Sequence, residues 1–249
     1  MSEAPKTTLS SGMLVLRQRT PWEAVDSGVL LWKHNAAHFL PFFVLPFVLF
    51  ACALRLLPAE LTYFCPLFVW YAKPLFDRLA LKVLAYRFFE PEASIIKLAT
   101  SYSLFRGLIG DLLWRRFSPW RSSIMPLRVL EKLKRSQLKM RKRFLAHGSV
   151  NFCTIVTILC VFLEIVIIIG ELGFLAMTLY IVASDRLDLI EGYADVEIYL
   201  YILYCFNYIL IGSLYVCMGF GLYINSRIEV EGWDLELLCA SVLKTERPV

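Results

Sequence analysis

The residues of this sequence best placed to do chemistry are two glutamates inside a long apolar run. Glu164 and Glu171 lie seven residues apart in "CVFLEIVIIIGELGF", so a helix would carry both on one face. Ionisable groups in such runs are costly and often mark ion paths or buried charge pairs. Asn207, in a second apolar run, is a potential hydrogen-bond partner. We favour Glu164 being satisfied between helices or by a partner subunit, with transport as the alternative.

Motifs typical of catalytic and cofactor sites do not occur in the sequence. It contains no G-x-S-x-G, no H-E-x-x-H and no P-loop. His34 and His38 are four residues apart but have no third ligand nearby, so neither a metal nor a cofactor is predicted. An enzyme acting on a membrane lipid would have only Asp77 or His34 as its acid or base. We therefore predict a non-enzymatic protein with no catalytic residues.

Positive charge is concentrated in one segment, residues 77–149. "KLKRSQLKMRKR" carries seven basic residues, and arginines alternate with aromatic residues just before it. This pattern is typical of the headgroup region of a membrane, where each basic residue near anionic lipid contributes about 1 kcal/mol. A segment that only fixes the topology is an equally good interpretation, and nucleic-acid binding is disfavoured because no such fold accompanies the charge. The predicted headgroup contacts are Arg115, Arg116, Arg121, Lys132, Lys134, Arg135, Lys139, Arg141, Lys142 and Arg143.

The composition is that of a membrane protein. Of the 249 residues, 58% are hydrophobic and 19% are charged, whereas about a quarter are charged in a soluble domain. A spanning helix needs about 20 apolar residues. We predict an all-α polytopic bundle forming a single membrane domain over 1–249, with about four spans and interfacial amphipathic helices. Its parts are an interfacial helix (20–35), spans at 37–57, 61–76, 151–183 and 196–224, the basic cytoplasmic segment (77–149) and an acidic cytoplasmic tail (225–249).

The distribution of lysine and arginine predicts the orientation in the membrane. Residues 1–35 carry four, residues 73–149 carry seventeen and residues 225–249 carry three, whereas 58–60 carry none. By the positive-inside rule, both termini and the basic segment are cytoplasmic in a cell inner membrane. A five-span alternative would divide the third apolar region at Gly170–Glu171. Whether residues 92–112 enter the bilayer is left open.

The start of the first helix is well marked. Thr20, Pro21 and Glu23 form a capping box with proline at the first helical position. Trp22 and Trp32 then recur on one side of the helix. This spacing fits an amphipathic helix in the plane of the interface, and it fits equally an ordinary helix packed on the rest of the protein.

Two features of the last apolar run indicate contacts. Ser213, Cys217 and Gly221 recur at every fourth position, a small-residue pattern that lets helix backbones approach closely. The acidic end that follows is predicted to dock on the basic segment, because both lie on the cytoplasmic face in the four-span arrangement. The residues of this docking contact are Arg227, Glu229, Glu231, Trp233, Asp234 and Glu236.

Four blocks of the sequence also suggest a family. They are "GFGLYINSRIEVEGWDLEL", "WEAVDSGVLLWKHN", "KPLFDRLALKVLAYRFF" and "WRRFSPWRSSIMPLRVLEKLK". Over about residues 20–240 the chain resembles a poorly characterised family of bacterial multi-pass inner-membrane proteins that end in an "EGWDLEL"-type motif. Such proteins are often encoded beside a membrane protein with a transglutaminase-like or related domain. The resemblance therefore implies membership of a membrane complex, and it implies no catalytic residue.

These patterns together predict a structural or accessory subunit of a bacterial membrane assembly. Its expected partners are anionic membrane lipids and other membrane subunits or further copies of the chain, and nucleic acid is not among them. The alternative function is a transporter or channel component that uses Glu164 and Glu171.

Overall fold

The computed structural model describes residues 17–89, 108–113, 118, 120–131, 135–185 and 193–232. Every regular element in these ranges is an α-helix, which confirms the all-α prediction. The helices are α1 (Pro21–Leu54), α2 (Ala59–Thr62), α3 (Cys65–Phe89), α4 (Leu108–Leu113), α5 (Arg121–Leu130), α6 (Arg135–Asp185) and α7 (Tyr193–Glu231).

Helix α1 begins where the capping pattern predicts. The Thr20 side chain accepts a hydrogen bond from the backbone N–H of Glu23 at 3.4 Å, and Pro21 takes the first helical position. The Trp32 indole N–H donates to the Ser213 hydroxyl at 2.9 Å. These early turns therefore pack on α7 instead of lying apart in the interface plane.

No helix boundary separates the predicted interfacial helix at 20–35 from the predicted span at 37–57. One helix of 34 residues covers both and continues through Pro41 and Pro46. Proline is compatible with a membrane helix when neighbouring groups satisfy the carbonyl that it frees.

Helix α3 also passes a predicted boundary. It continues from the 61–76 span to Phe89, so the first part of the basic segment 77–149 belongs to the bundle. The reason is apolar burial, because Ala80, Leu81 and Leu84 are fully buried beyond residue 76.

Helix α6 is unbroken over its 51 residues, a length of about 75 Å at 1.5 Å per residue. It passes through Gly170 and Glu171, so the division required by five spans does not occur. A glycine within a helix costs only about 1 kcal/mol and does not end it. Helix α7, by contrast, ends at a glycine, since Gly232 adopts a φ of 59° and its N–H bonds to the Ile228 carbonyl at 3.1 Å.

Helices α1 and α7 lie antiparallel along their whole length. At one end the backbone N–H of Arg19 donates to Asn225 Oδ1, and Asn225 Nδ2 donates back to the Arg19 carbonyl, both at 3.0 Å. At the other end the Arg55 guanidinium donates to Glu197 Oε1 at 2.9 Å. Hydrogen bonds therefore fix the register of this pair at both ends.

An aromatic cluster joins α3 to this pair. The Phe47 ring lies 5.2 Å from Phe76 and 4.6 Å from Tyr208 between ring centroids. Farther along, the Cys65 thiol donates to the Leu54 carbonyl, so α3 is antiparallel to α1. Helix α6 is antiparallel to α7, and the long helices α1, α3, α6 and α7 therefore alternate in direction.

Two segments of the described chain are long and apolar enough to cross a membrane. They are Asn151–Thr178 in α6 and Val196–Glu231 in α7, and Phe43–Leu54 in α1 is apolar but shorter. This agrees with a membrane location in its general form.

Candidate functional site

Asp77 is the centre of a buried charged network. Its side chain is 0% exposed and forms an ion pair with Arg121 at the start of α5. The Tyr208 hydroxyl of α7 donates to Asp77 Oδ1 at 3.2 Å. Asp77 therefore links three helices and does not face the bundle surface, where a catalytic group acting on headgroups would have to lie.

A second buried carboxylate, Asp111 of α4, receives two guanidinium groups. Arg78 is 1% exposed and forms an ion pair with it, and Arg128 of α5 donates to Asp111 Oδ1 at 2.6 Å. Asp77 and Arg78 are both enclosed by neighbouring helices, because α3 continues beyond the predicted span. Charge-assisted bonds of this kind are among the stronger ones in proteins.

The two glutamates of the long apolar run are both paired within the chain. Lys73 of α3 donates to Glu164 Oε2 at 3.2 Å, and its ammonium lies 5.0 Å from the centroid of the Tyr208 ring. Asn207 Nδ2 donates to Glu171 Oε2 at 2.6 Å. Glu164 is thus satisfied between helices, and Asn207 takes the partner role considered for it.

A cavity of about 300 Å³ lies between α3, α6 and α7 beside these pairs. Lys73, Glu164 and Arg121 line one part of it, together with Thr157 and Tyr215, whose hydroxyl oxygens are 3.3 Å apart. Its other walls are mainly apolar and include Trp70, Cys160, Val161, Ile165, Ile168 and Ile211.

The structure places the predicted headgroup contacts in different environments. Arg121 points inward, where it pairs with the buried Asp77 carboxylate and lines the cavity, so it does not lie on the outer surface of the bundle. Arg141 forms ion pairs with Glu131 and Glu231, while Lys139 is exposed. Arg115, Arg116, Lys132 and Lys134 lie outside the described residues, as do the side chains of Arg135, Lys142 and Arg143.

Part of the predicted docking contact lies within the described chain. Arg227 Nε donates to Glu231 Oε2 at 2.9 Å, and Arg141 Nη2 lies 2.7 Å from Glu231 Oε1. Tyr223 donates to Glu131 at 2.7 Å beside them. Glu229 is exposed, and Trp233, Asp234 and Glu236 lie outside the described residues. The end of α7 therefore meets the basic start of α6 through Glu231.

We expect Glu231→Lys to lower the free energy of unfolding by about 1 kcal/mol, the scale of partly exposed ion pairs. The new ammonium would lie beside the guanidinium groups of Arg141 and Arg227. Glu229→Lys is the matched control and should have almost no effect. The two variants can be compared by thermal unfolding in detergent at low salt, and equal shifts would contradict the docking role of Glu231.

The small residues of α7 face α1. A Cβ atom added at Gly221 would lie 2.4 Å from the Ala24 carbonyl oxygen, and one at Gly28 would lie 2.6 Å from the Cys217 carbonyl oxygen. Ser213 accepts the bond from Trp32. The Ser213, Cys217 and Gly221 positions therefore form a close helix crossing, with Gly28 as the counterpart that the sequence pattern did not reveal.

Sequence reasoning also missed Asp111, Arg128 and Tyr208. A signal for Asp111 was present in the charge pattern, since Glu131 is the one acid between it and Glu164 in a strongly basic stretch. An arginine that is buried in this stretch can therefore pair with few carboxylates, and Asp111 is one of them. The sequence around Tyr208 does not indicate its contact with Asp77. A tyrosine in an aromatic run has the same sequence neighbours whether or not its hydroxyl contacts a charged group.

Comparisons with protein-family models, curated proteins and solved structures found no match for this chain.

Proposed function

We infer that this chain is a non-enzymatic, multi-pass protein of a bacterial inner membrane and a structural or accessory subunit of a membrane assembly. The observation that carries the proposal is the uncovered face of α6. Only 17% of the most apolar window of Asn151–Thr178 is buried, against 50% for the window in α7. Large apolar side chains fill the uncovered face, among them Ile158 at 63%, Ile169 at 63%, Phe174 at 75% and Met177 at 64% exposed.

A face of this kind needs an apolar environment. Exposing it to water would be unfavourable by about 25 cal/mol for each Å² of apolar area, so it must meet lipid or another membrane helix. The resemblance to a family of multi-pass proteins encoded beside another membrane protein favours the second. We propose that α6 is the contact helix of the assembly.

The alternating directions of α1, α3, α6 and α7 support a four-span arrangement. The Arg55–Glu197 pair would mark the outer end, and Arg19 with Asn225 the cytoplasmic end. The basic start of α6 then lies on the cytoplasmic side with both termini, where the exposed Lys139 and its neighbours would contact anionic lipid.

The test is native mass spectrometry of the protein extracted from its own membrane, combined with a photo-crosslinking residue on α6. A crosslinker at Phe174 is expected to capture one stoichiometric membrane protein. The matched control is Leu45 on α1, which is 62% exposed, and it should capture lipid alone. A lone chain that yields only lipid adducts at both positions would overturn the proposal.

The alternative, a transporter or channel component, is favoured by one observation. A continuous series of polar contacts lies beside the cavity and joins Glu164, Lys73, Tyr208, Asp77 and Arg121. A protein that only holds a complex in the membrane would not need so many buried polar groups.

Under this alternative, Glu164→Gln would abolish ion or proton flux in proteoliposomes without unfolding the protein. The matched control is Glu197→Gln, which removes an acid from another interhelical ion pair and should retain flux. Equal flux in all three proteins, or none in the wild type, would contradict transport.

A further inference from the structure

The cavity between α3, α6 and α7 has a polarity that changes along its length. On α6 its lining residues recur on one face, from Thr157 through Glu164 to Ile168. The polar lining residues of α6 are Thr157 and Glu164, with Cys160 and Val161 between them, and the lining of α6 beyond Glu164 is aliphatic. Thr157 and Ile168 are eleven residues apart, which corresponds to about 16 Å of helix. This is the scale of a headgroup and the first carbons of an acyl chain.

The rim of the cavity faces the outside of the bundle. Trp70, Val161 and Ile165 line it and are 40%, 50% and 50% exposed. In a membrane these side chains would lie against lipid. A lipid could therefore enter sideways without any separation of the helices.

The charges around the cavity are balanced. The Lys73 ammonium is 3.2 Å from Glu164, and both side chains are less than one-fifth exposed. Arg121 also lines the cavity and is paired with the buried Asp77. An anionic headgroup would bring one uncompensated charge beside Glu164 into a region of low dielectric, which is costly. A zwitterionic headgroup adds no net charge and offers an opposite charge to each of Lys73 and Glu164.

We propose that this cavity binds one phospholipid with a zwitterionic phosphate–ammonium headgroup. The phosphate lies at Lys73 and Arg121, the ammonium lies at Glu164, and the chain follows Ile165 and Ile168. The inference depends on the membrane placement in the proposed function but not on any partner subunit.

The test uses the purified full chain in detergent with equal amounts of phosphatidylethanolamine and phosphatidylglycerol, and native mass spectrometry counts the retained lipid. The wild type should retain one phosphatidylethanolamine. Glu164→Gln should change the ratio toward phosphatidylglycerol by about tenfold, the scale of one partly buried charge interaction. Glu197→Gln, which breaks the Arg55 pair outside the cavity, should leave the ratio unchanged. No preference in the wild type, or equal changes in the two variants, would overturn the proposal.

Two further measurements test the same site independently of Glu164→Gln. Should Glu164→Gln fail to fold, Ile165→Trp fills the apolar part from a half-exposed position and should abolish lipid retention; undiminished retention would overturn the site. Soluble phosphoethanolamine at the same concentration should not displace the lipid, because it lacks the chain that the apolar walls bind. Displacement would assign the site to the free amino-phosphate and overturn the lipid assignment. Because the purified chain is used alone, a missing partner cannot produce any of these outcomes.

Discussion

Asp77→Ala is expected to lower the free energy of unfolding by about 3–5 kcal/mol, the usual cost of breaking a buried ion pair by removing one member. The substitution would leave Arg121 without its carboxylate inside the bundle. It would also remove one of the two acceptors of the Tyr208 hydroxyl, which would keep only the Lys73 carbonyl. The loss should be visible as earlier unfolding when the protein in mild detergent is titrated with a denaturing one and followed by circular dichroism.

The double variant Asp77→Leu with Arg121→Leu separates charge burial from loss of packing. It removes both charges and fills the space with apolar atoms, and such replacements are often close to neutral. Its unfolding should therefore lie nearer to the wild type than to Asp77→Ala. If Asp77→Ala changes the free energy of unfolding by less than about 0.5 kcal/mol, it behaves like a substitution at an ordinary surface site. That result would contradict a buried ion pair at Asp77.

Gly221→Ala is expected to destabilise the protein by about 2–3 kcal/mol, at the upper end of overpacking effects. The added methyl group would meet backbone atoms of α1 at 2.4 Å, and backbone atoms cannot rotate away as a flexible side chain can. The helices would have to separate over the whole crossing. Gly28→Ala should act in the same direction for the same reason.

Gly170→Ala provides the control for this effect. Nothing lies within 4 Å of a Cβ atom at Gly170, so only helix propensity changes. That change favours alanine by up to about 1 kcal/mol. The same substitution should therefore stabilise the protein on α6 and destabilise it on α7, and a loss of similar size at both positions would contradict the close crossing.

Local features of the fold could be predicted from the sequence. Thr20 caps α1, and Gly232 ends α7 after the Arg227–Glu231 pair, because each depends on residues at most four positions apart. Cap and i,i+4 geometry are properties of a single helix, and a short stretch of sequence contains them fully.

The buried network could not be predicted in this way. Asp77 meets Arg121 from 44 residues away, and Arg78 meets Asp111 from 33 residues away. From the sequence, charged residues near the end of an apolar run are expected to face water. Asp77 and Arg78 do not, because α3 continues to Phe89 and other helices pack around them. The extent of an apolar run was thus a poor guide to the extent of its helix, as the unbroken α6 also shows.

The antiparallel pair α1–α7 has a mechanical consequence. A slide of one helix past the other by a single turn, about 5.4 Å, would move Gly28 and Gly221 away from each other's backbone and place larger side chains there. It would also break the Arg55–Glu197 contact at the far end. We therefore expect α1 and α7 to resist sliding and to move as one unit, with α3 and α6 tilting or rotating against them.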